Sequence, residues 1–414
     1  AKEWARSIEY MHDAVYYSSL WNGDYPYKHA TAVDGTISAG GGMEYPNVTV
    51  IGNSNSPLGL ETVIMHEVGH NWFYGILGNN ERRYTWLDEG LNSYNEQRYL
   101  STKYPKRKLL SKEEPGFFSK LFGFDEYSIK DQYYFTYLFS ARHNHDQKLD
   151  IPADEYFNIN YGTICYAKSA VFFNYVRHYL GDESMDEAMQ SYFDKYKFSH
   201  PGPENLEETF NESTGKKLKW LFHDAINTTG KLDYGISRLK KTDDGFQIKL
   251  KNHGRMNSPV QLARLDGDSV LSTTWIDGFE RDTILTLNGD AQSIKIDPNR
   301  IMPEINRKNN RIKTGGILRK VEAPQVRLFG SIEDPTKNQL FVTPIIGANV
   351  PNGFMPGVLL MNSILPVKRL NYSLVPMFGT KGSNLVGVGD VYYMIAPYES
   401  AFESIDIGVR GKRF

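Results

Sequence analysis

The 414-residue sequence predicts an α+β multidomain fold, mainly helical at first and β afterwards. Three observations carry that reading. In the first 230 or so residues, apolar side chains recur at helical spacing, as in Val63, Met65, Val68, Trp72, Phe73 and Ile76. From about Ile236 the period becomes two: Phe246, Ile248 and Leu250 alternate with Gln247 and Lys249, and Ile294 and Ile296 with Lys295 and Asp297. From about residue 320 the strand-like runs lengthen to roughly ten residues. A chain of this length allows two or three domains. We place them at 1–235 (helical), 236–305 (a small β-sandwich) and 320–414 (a C-terminal β segment), with 306–319 as a linker.

The elements follow in order. Glu3–Tyr17 reads as a helix. Thr31-Ala32-Val33 and Val48–Gly52 read as strands around the run Gly40-Gly41-Gly42. Residues 59–78 read as a helix closed by Gly78-Asn79-Asn80, residues that tolerate a left-handed cap. A second helix starts near Thr85 and runs to about Leu100, and residues 101–150 suit short helices and loops. Tyr166–Leu180 is helical until Gly181, and 184–228 continues the helical pattern. In the sandwich, Asp243-Asp244-Gly245 and Asn288-Gly289-Asp290 are turns. Asn306–Gly316 is a polar connector. In the tail, Ile405, Ile407 and Val409 alternate with Ser404, Asp406, Gly408 and Arg410, and Asn384–Pro397 is one long strand.

Composition narrows the function. Hydrophobic residues make 40% and charged residues 23%, ordinary for a globular protein. With a net charge of −2, near balance, nothing points to a nucleic-acid partner, and none is expected. The one cysteine, Cys165, permits no intramolecular disulfide and reads as a packed thiol. The chain begins at Ala1 and stops just after a β-like run, which we read as a processed piece of a longer protein.

The chemistry is concentrated in His66-Glu67-Val68-Gly69-His70. On a helix, residues four apart share a face, about 5–6 Å apart at Cβ, so His66 and His70 can close on one metal ion. Glu67 stands beside that ion, placed to take a proton from a metal-bound water. Catalytic zinc needs a third ligand, and Glu89 on the next helix supplies it. Asp88 and Glu89 also suit a first helical turn electrostatically. Glu96, two turns on, is either an acceptor that holds a ligand histidine or a solvated charge. On the pentapeptide alone, a buried helix with two satisfied histidines competes with the metal reading.

Taken together these residues resemble the gluzincin metallopeptidases related to aminopeptidase N and leukotriene hydrolase. The pentapeptide, eighteen intervening residues and then Glu89 is that family's spacing, with Trp86-Leu87 before it and Gly90 after it. Gly41-Gly42-Met43-Glu44-Tyr45 resembles the family's G-x-M-E-N motif, and Tyr166-Ala167-Lys168-Ser169 its Y-x-K-G segment. The resemblance implies a thermolysin-like catalytic domain over the first 230 residues and one zinc ion on His66, His70 and Glu89. It makes Glu67 the general base, Tyr166 the stabiliser of the oxyanion and Glu44 the anchor of a substrate's free amine. Gly41, Gly42 and Met43 would carry the extended peptide or protein substrate along a strand edge, with Tyr161 lining the same pocket. Tyr45 departs from the motif's Asn and Ser169 from its Gly, and the β-domain that precedes this domain in the family has no counterpart in the chain.

The expected activity is therefore a zinc aminopeptidase. An endopeptidase on the same machinery and a non-catalytic peptide-binding scaffold are the alternatives; an epoxide hydrolase activity is demanded by no residue. The tail has two readings of equal weight, the first strands of an outer-membrane barrel or a soluble β-domain. The first predicts a bacterial cell-envelope location with outer-membrane association.

Overall fold

The computed structural model describes residues 2–37, 41–54, 56–110, 114–322, 324–329, 332–362, 368–397, 400–402 and 404–414. Gly40 of the expected glycine run lies outside them. The described part is α+β, helical first and then a series of sheets.

A short 3-10 turn, Lys2–Arg6, leads into α1 (Ser7–Asn22), which runs five residues beyond its expected end. A three-stranded sheet follows, β1 (Thr31–Asp34), β2 (Gly42–Met43) and β3 (Val48–Ile51), in the order β1-β3-β2. β1 runs parallel to β3, and β2 is an antiparallel edge strand with Gly42 opposite Ile51. Helix α2 (Pro57–Gly69) begins at a strong stop-and-start signal. Ser56 Oγ accepts from Gly59 N at 3.0 Å and Pro57 occupies the first turn, where it loses no hydrogen bond. It ends at Gly69, not at Gly78 as the apolar spacing predicts. Asn71 Nδ2 takes the carbonyl of Val68 at 2.8 Å, and Tyr74 adopts φ 88°. The apolar residues beyond still reach the core: Trp72, Phe73 and Ile76 are buried from a chain of tight turns.

The π-helical turn Trp86–Gly90 opens α3 (Leu91–Lys103). After it come α4 (Phe117–Leu121), α5 (Asp131–Ala141) and α6 (Asn158–Asn160), the short elements expected there. A second π-helical turn, Tyr161–Tyr166, leads into α7 (Ala167–Leu180), which Gly181 stops at φ 90°. Then α8 (Asp182–Tyr196), α9 (Pro203–Thr214) and a third π-helical turn, Trp220–Ile226, complete the helical part.

The expected sandwich strands are β4 (Tyr234–Lys241), β5 (Gly245–Asn252), β6 (Val260–Asp266), β7 (Ser269–Ile276), β8 (Asp282–Asn288) and β9 (Ser293–Ile296). They form two sheets, β4-β5-β8 and β10-β9-β6-β7. The last partner, β10 (Arg311–Lys313), comes from the segment read as a connector. Ile236, Ile248 and Leu250 of one sheet and Val260, Leu262 and Ile296 of the other join a single buried core that also holds Tyr10, Ile64 and Phe172. Trp275 of β7 packs on Tyr175 and Tyr179 of α7. Helical part and sandwich are thus one continuous hydrophobic body.

The C-terminal sheet stands apart from that core. Its order is β11 (Gln325–Leu328), β12 (Gln339–Asn349), β13 (Gly353–Met361), β14 (Leu370–Gly379), β15 (Asn384–Ile395) and β16 (Ile405–Arg413). β12 to β16 are antiparallel neighbours, while β11 is parallel to β12. The sheet is open: β11 and β16 do not pair with one another, so among the described residues there is no closed barrel. Met355, Met377 and Val386 form a small core of their own. No described helix is long and apolar enough to cross a membrane.

Candidate active site

Helix α2 delivers His66, Glu67 and His70 near its C-terminal end. The two imidazoles meet edge to face with centroids 4.9 Å apart and Nε2 atoms 3.3 Å apart. Glu89 Oε2 lies 3.1 Å from His66 Nε2 and 3.3 Å from His70 Nε2. Ligand atoms of all three residues fall within 4.8 Å of one another. Carboxylates stand behind their outer nitrogens. Glu96 Oε2 is 2.9 Å from His66 Nδ1, and Asp88 Oδ1 is 2.6 Å from His70 Nδ1. Partners of this kind fix the ring orientation and leave the other nitrogen free to bind. Glu96 is itself held by the Tyr133 hydroxyl.

The π-helical turn explains how neighbouring carboxylates share one ring. Asp88 and Glu89 are consecutive, yet they reach opposite nitrogens of His70. The wider i→i+5 turn is a local departure from the helix, of the sort found mostly at functional sites. Close packing seats it: a Cβ on Gly90 would lie 2.5 Å from Ser169 Oγ, so the glycine after Glu89 and the small residue at 169 fit one contact. Asn92 Nδ2 also donates to His66 O at 2.6 Å, tying α3 to α2 where Gly69 allows the approach.

Burial alone would lower both imidazoles. The surrounding carboxylates prevail, taking His66 up to about 10 and His70 well above its ordinary range. Glu89 shows the reverse balance: burial opposes its ionisation, but His70 and His66 hold it far below the usual carboxylate range. Glu67 is buried, and that burial pushes its carboxyl up to about 7 against the pull of His66 and His70. Burial and then the Glu89 carboxylate keep the Tyr166 phenol well above its usual range, hence protonated.

These groups share a cavity of about 290 Å³ lined by His66, His70, Glu89, Glu67, Glu44, Tyr166, Gly41 and Gly42. A Cβ on Gly42 would sit 2.3 Å from Glu67 Cδ, so the edge strand lies directly against the carboxylate. The Tyr166 ring stacks near His66 at 5.8 Å. Two expected residues stand back from the cavity. Met43 is exposed, and Tyr161 touches Tyr166 from behind at 5.6 Å. Glu81 was missed by the sequence reading. Its carboxylate groups with those of Glu44 and Asp88 within 4.8 Å, and it lies in a loop with no motif to mark it. Cys165 is buried, and burial raises its thiol, as expected of a packed residue. A larger cavity of about 480 Å³, between Arg142, Lys231 and Lys368, holds none of the donor set.

Comparison with known proteins agrees with this geometry. Residues 9–224, more than half of the chain, match the peptidase family M1 domain. Over 194 residues, 46% of this chain, the sequence is 20% identical to aminopeptidase M1-A of Oryza sativa subsp. japonica. Over 154 residues, 37% of this chain, it is 23% identical to endoplasmic reticulum aminopeptidase 1 of Mus musculus. The matched parts are 20% and 15% of those proteins' own lengths. The fold is similar to the crystal structure of Legionella pneumophila aminopeptidase A in complex with aspartic acid. The TM-score is 0.54 at 17% identity, covering 73% of this chain and 35% of that one. His66, His70, Glu89, Glu67 and Tyr166 share one cleft, and the family match runs across the helices that carry them: the chain belongs to peptidase family M1.

Proposed function

We propose that the chain is a zinc metallopeptidase of the aminopeptidase type, removing the N-terminal residue of a peptide. The convergence of His66, His70 and Glu89 beside Glu67, with Glu44 in the same cleft, carries this reading. Two imidazole nitrogens and one carboxylate, with the remaining side facing a cavity, are the donor set of catalytic zinc. Zinc held there would polarise a water molecule and the scissile carbonyl.

The chain's own residues do the rest. Glu67 takes a proton from the attacking water and passes it to the leaving amine, and a carboxyl near pH 7 suits both transfers. Tyr166 donates its hydroxyl hydrogen to the carbonyl oxygen as negative charge develops there. Glu44 pairs with the substrate's ammonium group and so sets the cleaved bond one residue in. Glu81 and Asp88 add negative charge at that end. The β2 edge, Gly41 to Met43, receives the extended substrate backbone. Tyr161 backs Tyr166. In this reading residues 1–235 are the catalytic unit, the sandwich extends from 236 to take in β10, and 320–414 is the C-terminal β segment.

Hydrolysis of two matched fluorogenic peptides by the zinc-loaded protein tests the proposal. One has a free N-terminus, the other is acetylated, and Glu67→Ala controls for contaminating peptidase. Cleavage of the free peptide alone, lost in the variant, is expected. Cleavage of both makes the chain an endopeptidase and removes Glu44 from the amine role. Cleavage of neither leaves a binding scaffold.

A further inference from the structure

The C-terminal sheet has one face that no part of the described chain covers. The register aligns Leu370 with Tyr393 and Phe378 with Leu385. It aligns Tyr393 with Ile407 and Val391 with Val409. On the other flank, Leu360 lies opposite Leu374 and Ile346 opposite Pro356. Side chains at paired positions share a face, so these residues form one apolar surface across five strands. It is open to solvent: Ile346 is 77% exposed, Leu385 67%, Ile407 63% and Val409 78%. A patch of this kind on a soluble protein marks a surface built for contact.

The opposite face is mixed. It carries Met355, Met377 and Val386, the sheet's small buried core, and also Asp390 across from Arg410, with Asn371, Ser373, Asp406 and Lys412. The charges of β14 to β16 thus gather on that face, up to Arg413.

We propose that the outward face of β12 to β16 is seated against lipid acyl chains. Three features on this face select lipid over a second copy of the chain. Its described strand positions carry no charge until Arg413 at one margin. Basic groups stand at one end, Lys381 in the turn after β14 and Arg413 on β16, which complements anionic headgroups. Aromatic rings also mark both ends, Tyr372 and Tyr393 at one and Phe354 and Phe378 at the other, with aliphatic residues between. The dimension agrees. The ten residues of β14 span about 33 Å along the strand, or about 25 Å of height at the usual barrel tilt. The free edge of β16, exposed at every residue, is then the place where pairing must be completed, because hydrocarbon tolerates no open strand edge. This inference stands independently of the peptidase reading.

The test places a fluorophore on adjacent residues that point to opposite faces, Val391→Cys and Tyr392→Cys, in the full 414-residue chain. Buried Cys165 stays unlabelled in the folded protein, and the unsubstituted chain verifies that. Both proteins are refolded into phosphatidylethanolamine–phosphatidylglycerol vesicles carrying nitroxide-labelled acyl chains. The label at 391 should lose at least twice as much emission as the label at 392. Leu374→Arg should reduce vesicle binding about thirtyfold or more. Equal quenching at both positions, or failure of the chain to float with the vesicles, overturns the proposal. So does a lipid-free dimer that Leu374→Arg converts to monomer, which would make the face a contact between copies.

Discussion

In the helical body Trp72, Trp86 and Tyr94 are fully buried, whereas Ile346, Ile407 and Val409 in the C-terminal sheet are mostly exposed. The polar groups divide the other way. The body buries His70, Asp88 and Lys168 and gives each a partner. The sheet turns Asp390 and Arg410 to the face that also carries its small core of Met355, Met377 and Val386, and Ile346, Ile407 and Val409 to the other. The same alternation of apolar and polar residues thus serves two different surroundings. Which face of a strand is apolar says little by itself; what that face meets says what the region is for.

The largest expected effect breaks the body at its chemistry. Glu67→Gln should lower kcat/KM on a free-amine peptide by about a thousandfold, the scale of a lost acid–base group. The zinc content measured by atomic absorption should stay at one per chain. If activity survives, Glu67 is not the proton carrier. Next comes Gly42→Ala, whose methyl would collide with Glu67 at the strand edge. Displacing a reacting group by about 1 Å costs about a hundredfold, so turnover should fall by that order with an unchanged circular dichroism spectrum.

A paired measurement sharpens the contrast between the regions. Ile248→Ala opens a hole in the continuous core and should destabilise the body by about 2–5 kcal/mol in a urea titration. Ile407→Ser, on the exposed face, should change stability in lipid-free buffer by no more than about 0.5 kcal/mol. Equal losses would mean the outward face is covered in solution.

The smallest effect is electrostatic. Burial lowers the Lys168 ammonium from 10.5 to about 8. Between those values the unfolded chain binds more protons than the folded one, so stability rises with pH. The penalty is complete below about pH 8 and is relieved as pH climbs through 8 to 10.5. Lys168→Met should flatten that rise, read as urea midpoints at pH 7 and pH 9.5.

Much of this was legible in the sequence for definite reasons. The helix carrying His66 and His70 was readable because the spacing of the two histidines and the apolar residues around them is helical, and Ser56-Pro57 marks its start. Its end was not, because Trp72, Phe73 and Ile76 are buried equally well from a string of turns as from a helix. Glu96 had a visible candidate role, and its carboxylate lies 2.9 Å from His66 Nδ1 and not out in solvent. Glu81 had none, since only the folded loop brings it to Glu44. The sheet's strands were visible from their alternation, but whether they close into a ring depends on pairing, which alternation does not encode.

The π-helical turn at Trp86–Gly90 has an evolutionary side. A turn with one residue more than its neighbours is what a single-codon insertion into a helix leaves behind, and a single-codon deletion would erase it. Such a deletion would keep the helix, its apolar face and its packing against α7 largely serviceable. It would also swing Glu89 about a quarter turn away from the two histidines. One missing residue between Trp86 and Gly90 would therefore be enough to part Glu89 from the two histidines while the shape is kept.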